Sequence, residues 1–199
     1  CMKEKGTINH AMQTKELLQR FGLEENEIAK IISVYKFEKI QKGDIFIHER
    51  KSTKKVGILL GGILYAYSTN KNGEKNISRF FYLPDNVIVV NLESFIHDIK
   101  SEETIECFED AYMVTIEKTE LYKLYEEIPQ LNSIGRLLAE DSYIKALRKI
   151  KLLQTKNAKD RILVLREQSP ELFKKLPSSY IASYLGMHRN TYNKAFSSI

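Results

Sequence analysis

Residues 180–196 read YIASYLGMHRNTYNKAF, two short segments with apolar residues at helical spacing on either side of Gly186. This pattern suits two helices that pack on each other, and glycine permits a sharp turn between them. Ser178 or Ser179 is expected to cap the first helix, and the second helix is expected to begin near His188. Two helices joined by about three residues around a glycine are typical of a helix-turn-helix.

The second segment starts with polar side chains that can contact DNA. Arg189 can form paired hydrogen bonds with guanine, and Asn190 can do so with adenine in the major groove. Lys194 lies about one turn after Asn190 and is expected on the same exposed face. Hydroxyl side chains in this region suit phosphate contacts, which set the register without reading the sequence. The candidate DNA-binding residues are Ser178, Ser179, His188, Arg189, Asn190, Thr191 and Lys194.

The charge of the chain is concentrated in the same region. Residues 1–135 carry 18 Lys and Arg against 21 Asp and Glu, whereas residues 136–199 carry 13 against 5. A basic C-terminal third favours a polyanionic partner. The basic residues expected to add salt-sensitive affinity are Lys159, Arg166, Lys174 and Lys175.

The composition, 43% hydrophobic and 29% charged residues, is typical of a globular chain rather than a disordered one. No apolar run approaches the roughly 18 to 20 residues of a membrane span, and the first residues lack the apolar core of a signal peptide. We therefore expect a cytoplasmic protein without a membrane partner.

Residues 36–117 show the pattern of an antiparallel β domain. Apolar residues alternate in stretches such as DIFIHE, KVGILLGGILYAYST, NISRFFYL and TIECFEDAYMVTI. Asn72-Gly73 is a strong hairpin signal, and the Gly61-Gly62 pair offers the positive φ angles of a second tight connection. Six or more short strands without intervening helices predict a sandwich or a jelly-roll barrel. Residues 11–34, which precede this domain, predict two short helices.

The period becomes helical again after the β domain. Pro129 suits the first turn of a helix that runs to about Leu153, with apolar residues at every third or fourth position. A helix of about 25 residues after a small β domain has little of its own domain to pack against, so we expect it to pair with a second copy. The candidate dimer interface comprises Leu131, Ile134, Leu138, Ile144 and Leu147. The alternative is a stripe packed entirely onto the β domain.

Signals for catalysis or metal binding are weak. The four histidines are scattered from His10 to His188, without the short spacing of metal ligands on one element. A jelly-roll enzyme would need two histidines and a carboxylate on neighbouring strands, and His48 stands without a second histidine nearby. The sequence contains neither a nucleophile elbow nor a phosphate-binding glycine loop, and Cys107 is expected to be a buried strand thiol. We expect no enzyme, no metal and no cofactor.

The order of these parts, and the segment IASYLGMHRNTYNKA in particular, resembles the Crp/Fnr family of bacterial transcription regulators. The stretch GILLGGILYAYSTNKNGEKNISRFFYLPDNVI is similar to the glycine-bearing hairpins of the family and to its aromatic run before the ligand loop. The resemblance covers the chain from about residue 15, and its most specific segment is 177–196.

The resemblance implies an α+β chain in three parts. These are an N-terminal antiparallel β jelly-roll barrel over residues 1–127, a long dimerisation helix over 128–155 and a C-terminal helix-turn-helix domain over 156–199. It also implies a homodimer on double-stranded DNA, with RNA polymerase as a further partner. The sequence ends at Ile199, so the β wing that follows the recognition helix in the family is expected to be absent or truncated.

A second departure from the family concerns the effector. Members that bind cyclic AMP hold its phosphate with a Gly-Glu pair and, shortly after, an Arg followed by Ser or Thr. The corresponding stretch here is VVNLESFIHDIKSEETIECF, in which Val90 and Asn91 replace the first pair and Ser101 and Glu102 the second. The glutamates of residues 102–106 would repel a phosphate, so we expect neither cyclic AMP nor cyclic GMP to bind.

Three interpretations of the barrel remain open. It senses an unknown small molecule other than a cyclic nucleotide, or it has lost sensing and acts as a dimer scaffold within a regulator. The third alternative is a ligand-binding or scaffold protein of the same fold whose degenerate C-terminal domain does not bind DNA. The candidate effector residues are Phe81, Tyr82, Asn91, Ser101 and Glu102, and the aromatic residues among them are also ordinary core residues of a barrel.

Overall fold

The computed structural model describes residues 14–16 and 18–199. Its helices are α1 (Glu25–Val34), α2 (Leu92–His97), α3 (Lys118–Glu127), α4 (Pro129–Gln154), α5 (Ala158–Gln168), α6 (Pro170–Lys175), α7 (Ser178–Tyr184) and α8 (Arg189–Phe196). Its strands are β1 (Lys36–Ile40), β2 (Ile45–Ile47), β3 (Lys55–Thr69), β4 (Lys75–Phe81), β5 (Ile88–Val89) and β6 (Thr104–Glu117). Residues 14–16 and 18–20 are also helical. His10, residues 11–13 and Leu17 lie outside the described residues.

The described chain divides into two compact units. Unit 1 contains the described residues up to Tyr65 together with Phe80–Ala139, and unit 2 contains Ala66–Arg79 and Glu140–Ile199. The boundaries fall within the β3–β4 hairpin and within α4. The division into parts at residues 127 and 155 remains a prediction.

The strands form one six-stranded sheet among the described residues. β6 lies between β1 and β3, β4 lies beside β3, β2 pairs with β6, and β5 pairs with β3. The pairings of β6 with β1 and β2, and of β3 with β5, are antiparallel. Lys36 to Ile40 lie opposite Thr115 to Ala111, so Ile40 faces the same side as the buried Ala111 of β6. The predicted antiparallel β domain is confirmed, but the expectation of no intervening helix is wrong, because α2 lies between β5 and β6.

Two glycines of the β3–β4 region serve different purposes. Gly73 lies in the turn between β3 and β4 with a φ of +80°, which confirms the predicted hairpin. Gly62 instead lies inside β3, with a φ of +90°. A Cβ atom there would collide with the backbone of Asp110 and Ala111. The second tight connection predicted at this glycine pair is therefore wrong, because the chain needs the glycine for a close approach of two strands.

Unit 1 contains an apolar core formed by residues from its helices and its sheet. The first turns of α4 belong to this core, together with residues of α1, α3 and β6. Its buried members are Leu18, Leu23, Ile28, Ile31, Ile116, Leu124, Ile128, Leu131 and Ile134.

Cys107 is a buried thiol on β6, as predicted. Its Sγ donates to the carbonyls of Glu109 and Ile40 at 3.1 and 3.5 Å. Burial raises the pKa of the thiol from 9.0 to about 11, with the carboxylate of Asp110 adding to the effect. The reactive thiolate is therefore scarce at neutral pH.

Unit 2 is built from the second half of α4, from α5 to α8, and from the distal part of the β3–β4 hairpin. α5 packs against α6 and α8, and α7 packs against the same two helices. The buried residues of its helical part are Leu152, Ile162, Leu165, Leu172, Leu176, Ile181, Ala182, Leu185 and Tyr192. The hydroxyl of Ser183 on α7 accepts from the N–H of Ile77 at 2.9 Å and donates to the carbonyl of Lys75 at 2.8 Å. The hairpin is thus attached to the first helix of the predicted helix-turn-helix.

Within the described residues, no helix combines the length and the apolarity that crossing a bilayer would require.

Candidate nucleic-acid interface

Helix α7 starts directly after a proline. Pro177 occupies the N-cap position with φ −60° and ψ 148°, and no side chain caps the helix. The predicted capping by Ser178 or Ser179 is therefore wrong, because the extended conformation of a cap already belongs to Pro177 and Ser178 is the first helical residue. Ser178 is half-buried and Ser179 is exposed. Both hydroxyls lie in the first turn, where a phosphate contact remains a prediction.

Helix α7 ends in a Schellman turn. The N–H of Met187 donates to the carbonyl of Ala182 at 3.0 Å, and the N–H of Gly186 donates to the carbonyl of Ser183 at 3.0 Å. Gly186 has a φ of +62°, the left-handed conformation that this turn requires and that glycine adopts at little cost. The predicted glycine turn between two helices is confirmed.

Helix α8 is capped by His188, as its predicted start near this residue implies. The Nδ1 atom of His188 accepts the N–H of Asn190 at 3.2 Å. An accepting Nδ1 carries no proton, so the bond requires the neutral tautomer with its proton on Nε2. The exposed imidazole can therefore donate from Nε2 at the start of α8.

The outward face of α8 carries polar side chains. Arg189, Asn190, Thr191 and Lys194 are all exposed. Asn190 and Lys194 are four residues apart and so lie on one face of the helix. In the part of the chain that the structure describes, these four side chains form no hydrogen bond or ion pair with the protein, so their donors are available to an external partner.

Asn193 belongs to the same face, although the sequence-based set omits it. It is exposed, three residues after Asn190 and four after Arg189. Its carbonyl accepts from the hydroxyl of Ser197 at 2.9 Å, whereas its side-chain amide makes no hydrogen bond to a described residue. Helical spacing from Arg189 is the signal in the sequence that points to it.

The inner face of α8 is held by aromatic packing. Tyr192 is only 3% exposed, and its ring stacks on that of Phe196 with centroids 5.4 Å apart. Burial raises the pKa of the Tyr192 phenol, with Arg166 acting in the opposite direction. Because this face is buried against the unit, the opposite face of α8 is directed to the surroundings.

The flanking basic residues differ in their exposure and in their contacts. Arg166 is exposed at the C-terminal end of α5. The Nζ of Lys174 pairs with Glu171 at 2.6 Å, and the Nζ of Lys159 donates to the carbonyl of Ser198 at 2.8 Å. Lys175 is exposed in the last turn of α6.

The apolar residues of α4 fall into two groups. Leu131 and Ile134 are 8% and 6% exposed within the core of unit 1, and Leu138 packs against that core. Leu131 and Ile134 thus pack inside their own subunit and leave little surface for a second copy, whereas the place of half-buried Leu138 in a dimer interface stays a prediction. The reason for this packing is that α1 and α3 cover this end of the helix, which the helical period alone did not reveal.

Other apolar side chains of α4, most of them further along the helix, are exposed. Ile144 and Leu147, both in the predicted interface, are each 46% exposed. Leu137, Tyr143 and Ile150 are also exposed, although the sequence-based set omits them. An exposed apolar stripe of this kind on a helix is typical of a surface that another chain covers.

The predicted effector residues are mostly engaged within unit 1. Phe81 and Tyr82 are buried, and Glu102 is exposed. Asn91 caps α2 by accepting the N–H of Ser94 at 3.0 Å, and its amide donates to Glu103 at 3.2 Å. The hydroxyl of Ser101 donates to the carbonyl of Glu103 at 2.7 Å. Two surface cavities of unit 1, of about 530 and 370 Å³, are lined by other residues.

Across residues 14–16 and 18–199, no group of three or more His, Cys, Asp and Glu side chains is placed to hold a metal ion.

No protein-family model matches this chain, and no curated protein matches it. Its likeness to known proteins is therefore one of structure.

Solved structures with the same architecture include FixK2 from Bradyrhizobium japonicum, with a TM-score of 0.67 and 18% identity over 83% of this chain and 84% of that one. A transcriptional regulator of the Crp/Fnr family from Eubacterium rectale has a TM-score of 0.69 and 16% identity over 89% and 83% of the two chains. A CooA mutant from Carboxydothermus hydrogenoformans has a TM-score of 0.69 and 16% identity over 92% and 83%. The chain therefore has the fold of Crp/Fnr transcription regulators.

Proposed function

We propose that this chain is a sequence-specific DNA-binding transcription regulator of the Crp/Fnr type. The observation that carries the proposal is the outward face of α8, where Arg189, Asn190, Asn193 and Lys194 are exposed without partners in the described chain. The opposite face of the helix is buried around Tyr192, so this row of polar side chains points outward. The shared fold with transcription regulators supports the same function.

The chemistry of this row suits the major groove. Arg189 can grip O6 and N7 of guanine, and the amides of Asn190 and Asn193 can each pair with N6 and N7 of adenine. Lys194 adds charge on the same face. For phosphate contacts at the edge of the groove we propose the hydroxyls of Ser179 and Thr191, together with Nε2–H of His188.

A homodimer follows from the exposed stripe on α4. Two copies that pair through Ile144 and Leu147 would each carry an α8 to one half of a two-fold-symmetric site. Such half-sites lie about 34 Å apart, one turn of B-DNA. We further propose that this dimer works with RNA polymerase in the cytoplasm. We propose no catalytic activity for the chain.

For the barrel we propose no response to cyclic nucleotides. The residues that stand where relatives bind the cyclic phosphate are engaged with one another, since Asn91 and Ser101 both bond to Glu103. Calorimetric titration of the full chain with cyclic AMP and cyclic GMP should give no heat of binding. Micromolar affinity for either nucleotide would contradict this prediction.

Selection from a random duplex pool tests the proposed function. The full chain at about 0.1 M salt should enrich an inverted repeat, because a two-fold-symmetric dimer reads the same half-site twice. A pool that stays random would overturn the proposal and would favour a scaffold protein of the same fold.

Replacement of Arg189 tests whether this side chain recognises a base of the half-site. Arg189→Ala should cost about 1–3 kcal/mol of discrimination at one position of the half-site, because a bidentate contact to a base is lost. Competition binding with single-base variants of the selected site measures this. The control is Arg166→Ala on α5, which should weaken all duplexes to a similar, small extent. Equal discrimination by the Arg189 variant and the wild-type chain would exclude Arg189 from base reading.

A further inference from the structure

Two cations from other helices contact the C-terminal end of α7. The Nζ of half-buried Lys149, on α4, donates to the carbonyl of Tyr184 and lies over the ring of the same tyrosine. The Nη1 of half-buried Arg161, on α5, donates to the carbonyl of Leu185 at 2.8 Å. Two successive carbonyls therefore receive donors from two different helices.

The carbonyls of Tyr184 and Leu185 come directly after the carbonyls that accept the last hydrogen bonds of α7 and its Schellman turn. The carbonyl of Ile181 accepts from Leu185, that of Ala182 from Met187, and that of Ser183 from Gly186. The last carbonyls of a helix lack partners in the helix and carry its negative dipole end. Lys149 and Arg161 thus complete the hydrogen bonding of this helix end with side-chain N–H donors, and the guanidinium of Arg161, which is always charged, forms a stronger bond than a neutral donor would.

The contacted residues lead directly into α8. Only Gly186, Met187 and His188 separate the Leu185 carbonyl from the first residue of the recognition helix. The side chain of Leu153, also on α4, approaches the same turn, since a Cβ atom on Gly186 would lie 3.2 Å from its Cδ2. The direction in which the chain leaves the turn therefore depends on contacts from α4 and α5.

We propose that Lys149 and Arg161 are positioning residues that orient α8 relative to α4 by holding the carbonyls of Tyr184 and Leu185. This inference rests on the proposed function. It assigns to these two cations a role in DNA recognition that does not involve touching DNA. In a dimer joined through α4, the same contacts set the separation of the two recognition helices, so they select the spacing of the half-sites.

The test uses the full chain, the selected inverted repeat, versions of it with one base pair added or removed between the half-sites, and an unrelated duplex. Lys149→Met and Arg161→Met remove the donors and keep an aliphatic side chain, whereas Arg161→Lys keeps a donor. The matched control is Arg148→Met, which removes an exposed charge beside Lys149 on α4. Fluorescence anisotropy at constant salt measures all affinities, and near-ultraviolet circular dichroism monitors folding.

Both methionine variants should lose about tenfold in affinity for the selected repeat, and their preference for its spacing should weaken. Their affinity for the unrelated duplex should stay within about twofold of that of Arg148→Met, and Arg161→Lys should recover most of the loss. If Lys149→Met does not fold, the two Arg161 variants decide the matter by themselves.

Two outcomes overturn the inference in distinguishable ways. Methionine variants that keep the affinity and spacing preference of the wild-type chain, or lose affinity equally for all duplexes, overturn the positioning role and leave the proposed function intact. A wild-type chain that prefers no duplex overturns the proposed function, and the inference falls with it.

Discussion

At the scale of single residues, Lys149 shows what burial does to a charge. The side chain is half-buried, and desolvation lowers the pKa of its ammonium from 10.5 to about 7. Its neighbours at the end of α7 supply no full negative charge, because it bonds to a carbonyl and lies over the ring of Tyr184. The adjacent carbonyl is taken by Arg161, which is itself a cation. The folded chain therefore releases the proton of this ammonium more readily than the unfolded chain does.

Stability should consequently depend on pH through Lys149. Between the folded pKa of about 7 and the ordinary value of 10.5, the unfolded chain holds more protons at this residue than the folded chain. The free energy of unfolding should therefore rise with pH in this window, by up to about 1.4 kcal/mol per pH unit. Below pH 7 this slope should vanish, because both states then hold the proton. Lys149→Met should remove the slope.

Urea unfolding between about pH 7 and pH 8.5 measures this slope. The range stops short of pH 9 because Cys107, with a pKa raised from 9.0 to about 11, makes stability fall as pH rises above 9. Lys151→Met is the control, since Lys151 is exposed on the same helix. Identical slopes for the wild-type chain and Lys149→Met would exclude Lys149 as the source.

At the scale of elements, the helix-turn-helix depends on one backbone conformation. The Schellman turn places Gly186 at a φ of +62°, and Leu153 closes the space where a side chain would begin. α8 then starts at the His188 cap, and Tyr192 on its inner face is buried in unit 2. The local turn and the packing together define which side chains of α8 face outward.

Gly186→Ala should lower the free energy of unfolding by about 1–2 kcal/mol, because an L-residue is strained at this φ and its Cβ meets Leu153. Urea unfolding monitored by circular dichroism measures the change. Gly73→Ala is the comparison, since Gly73 has a φ of +80° with nothing within 4 Å of an added Cβ. A Gly186 variant as stable as the wild-type chain would contradict the importance of the turn.

At the scale of the whole molecule, α4 contributes apolar residues both to the core of unit 1 and to an exposed surface. Its first turns bury Leu131 and Ile134 in unit 1, whereas Ile144 and Leu147 remain exposed. Substitutions in the two groups should therefore have different consequences. One group stabilises the subunit, and we propose that the other joins two subunits.

Leu147→Asp should convert a dimer to a monomer in sedimentation velocity at micromolar concentration, because a carboxylate cannot be buried in an apolar seam without a partner. Unfolding of the monomeric units should change little. Ile134→Ala should instead destabilise unit 1 by about 2–4 kcal/mol without dissociating the dimer. A Leu147→Asp chain that sediments like the wild-type chain would place the dimer interface elsewhere.

Much of the fold could be predicted from the sequence because its determinants are local. Alternating apolar residues predicted the strands, the Asn72-Gly73 pair predicted the hairpin, and Gly186 between two amphipathic segments predicted the helix-turn-helix. The polar start of α8 likewise identified most of the candidate site. Each of these signals depends on residues within a few positions of one another, where chain geometry leaves few alternatives.

Only the tertiary structure decided which partner each apolar or polar group meets. A helical period shows that α4 has an apolar face, but not that α1 and α3 cover one end of it and leave Ile144 exposed. The position of Gly62 against β6 and the bonds of Asn91 and Ser101 to Glu103 also join residues far apart in the chain. So do the donors that Lys149 and Arg161 bring to the end of α7. Sequence by itself determined the faces of the elements, whereas the contacts between faces depend on packing that no local pattern encodes.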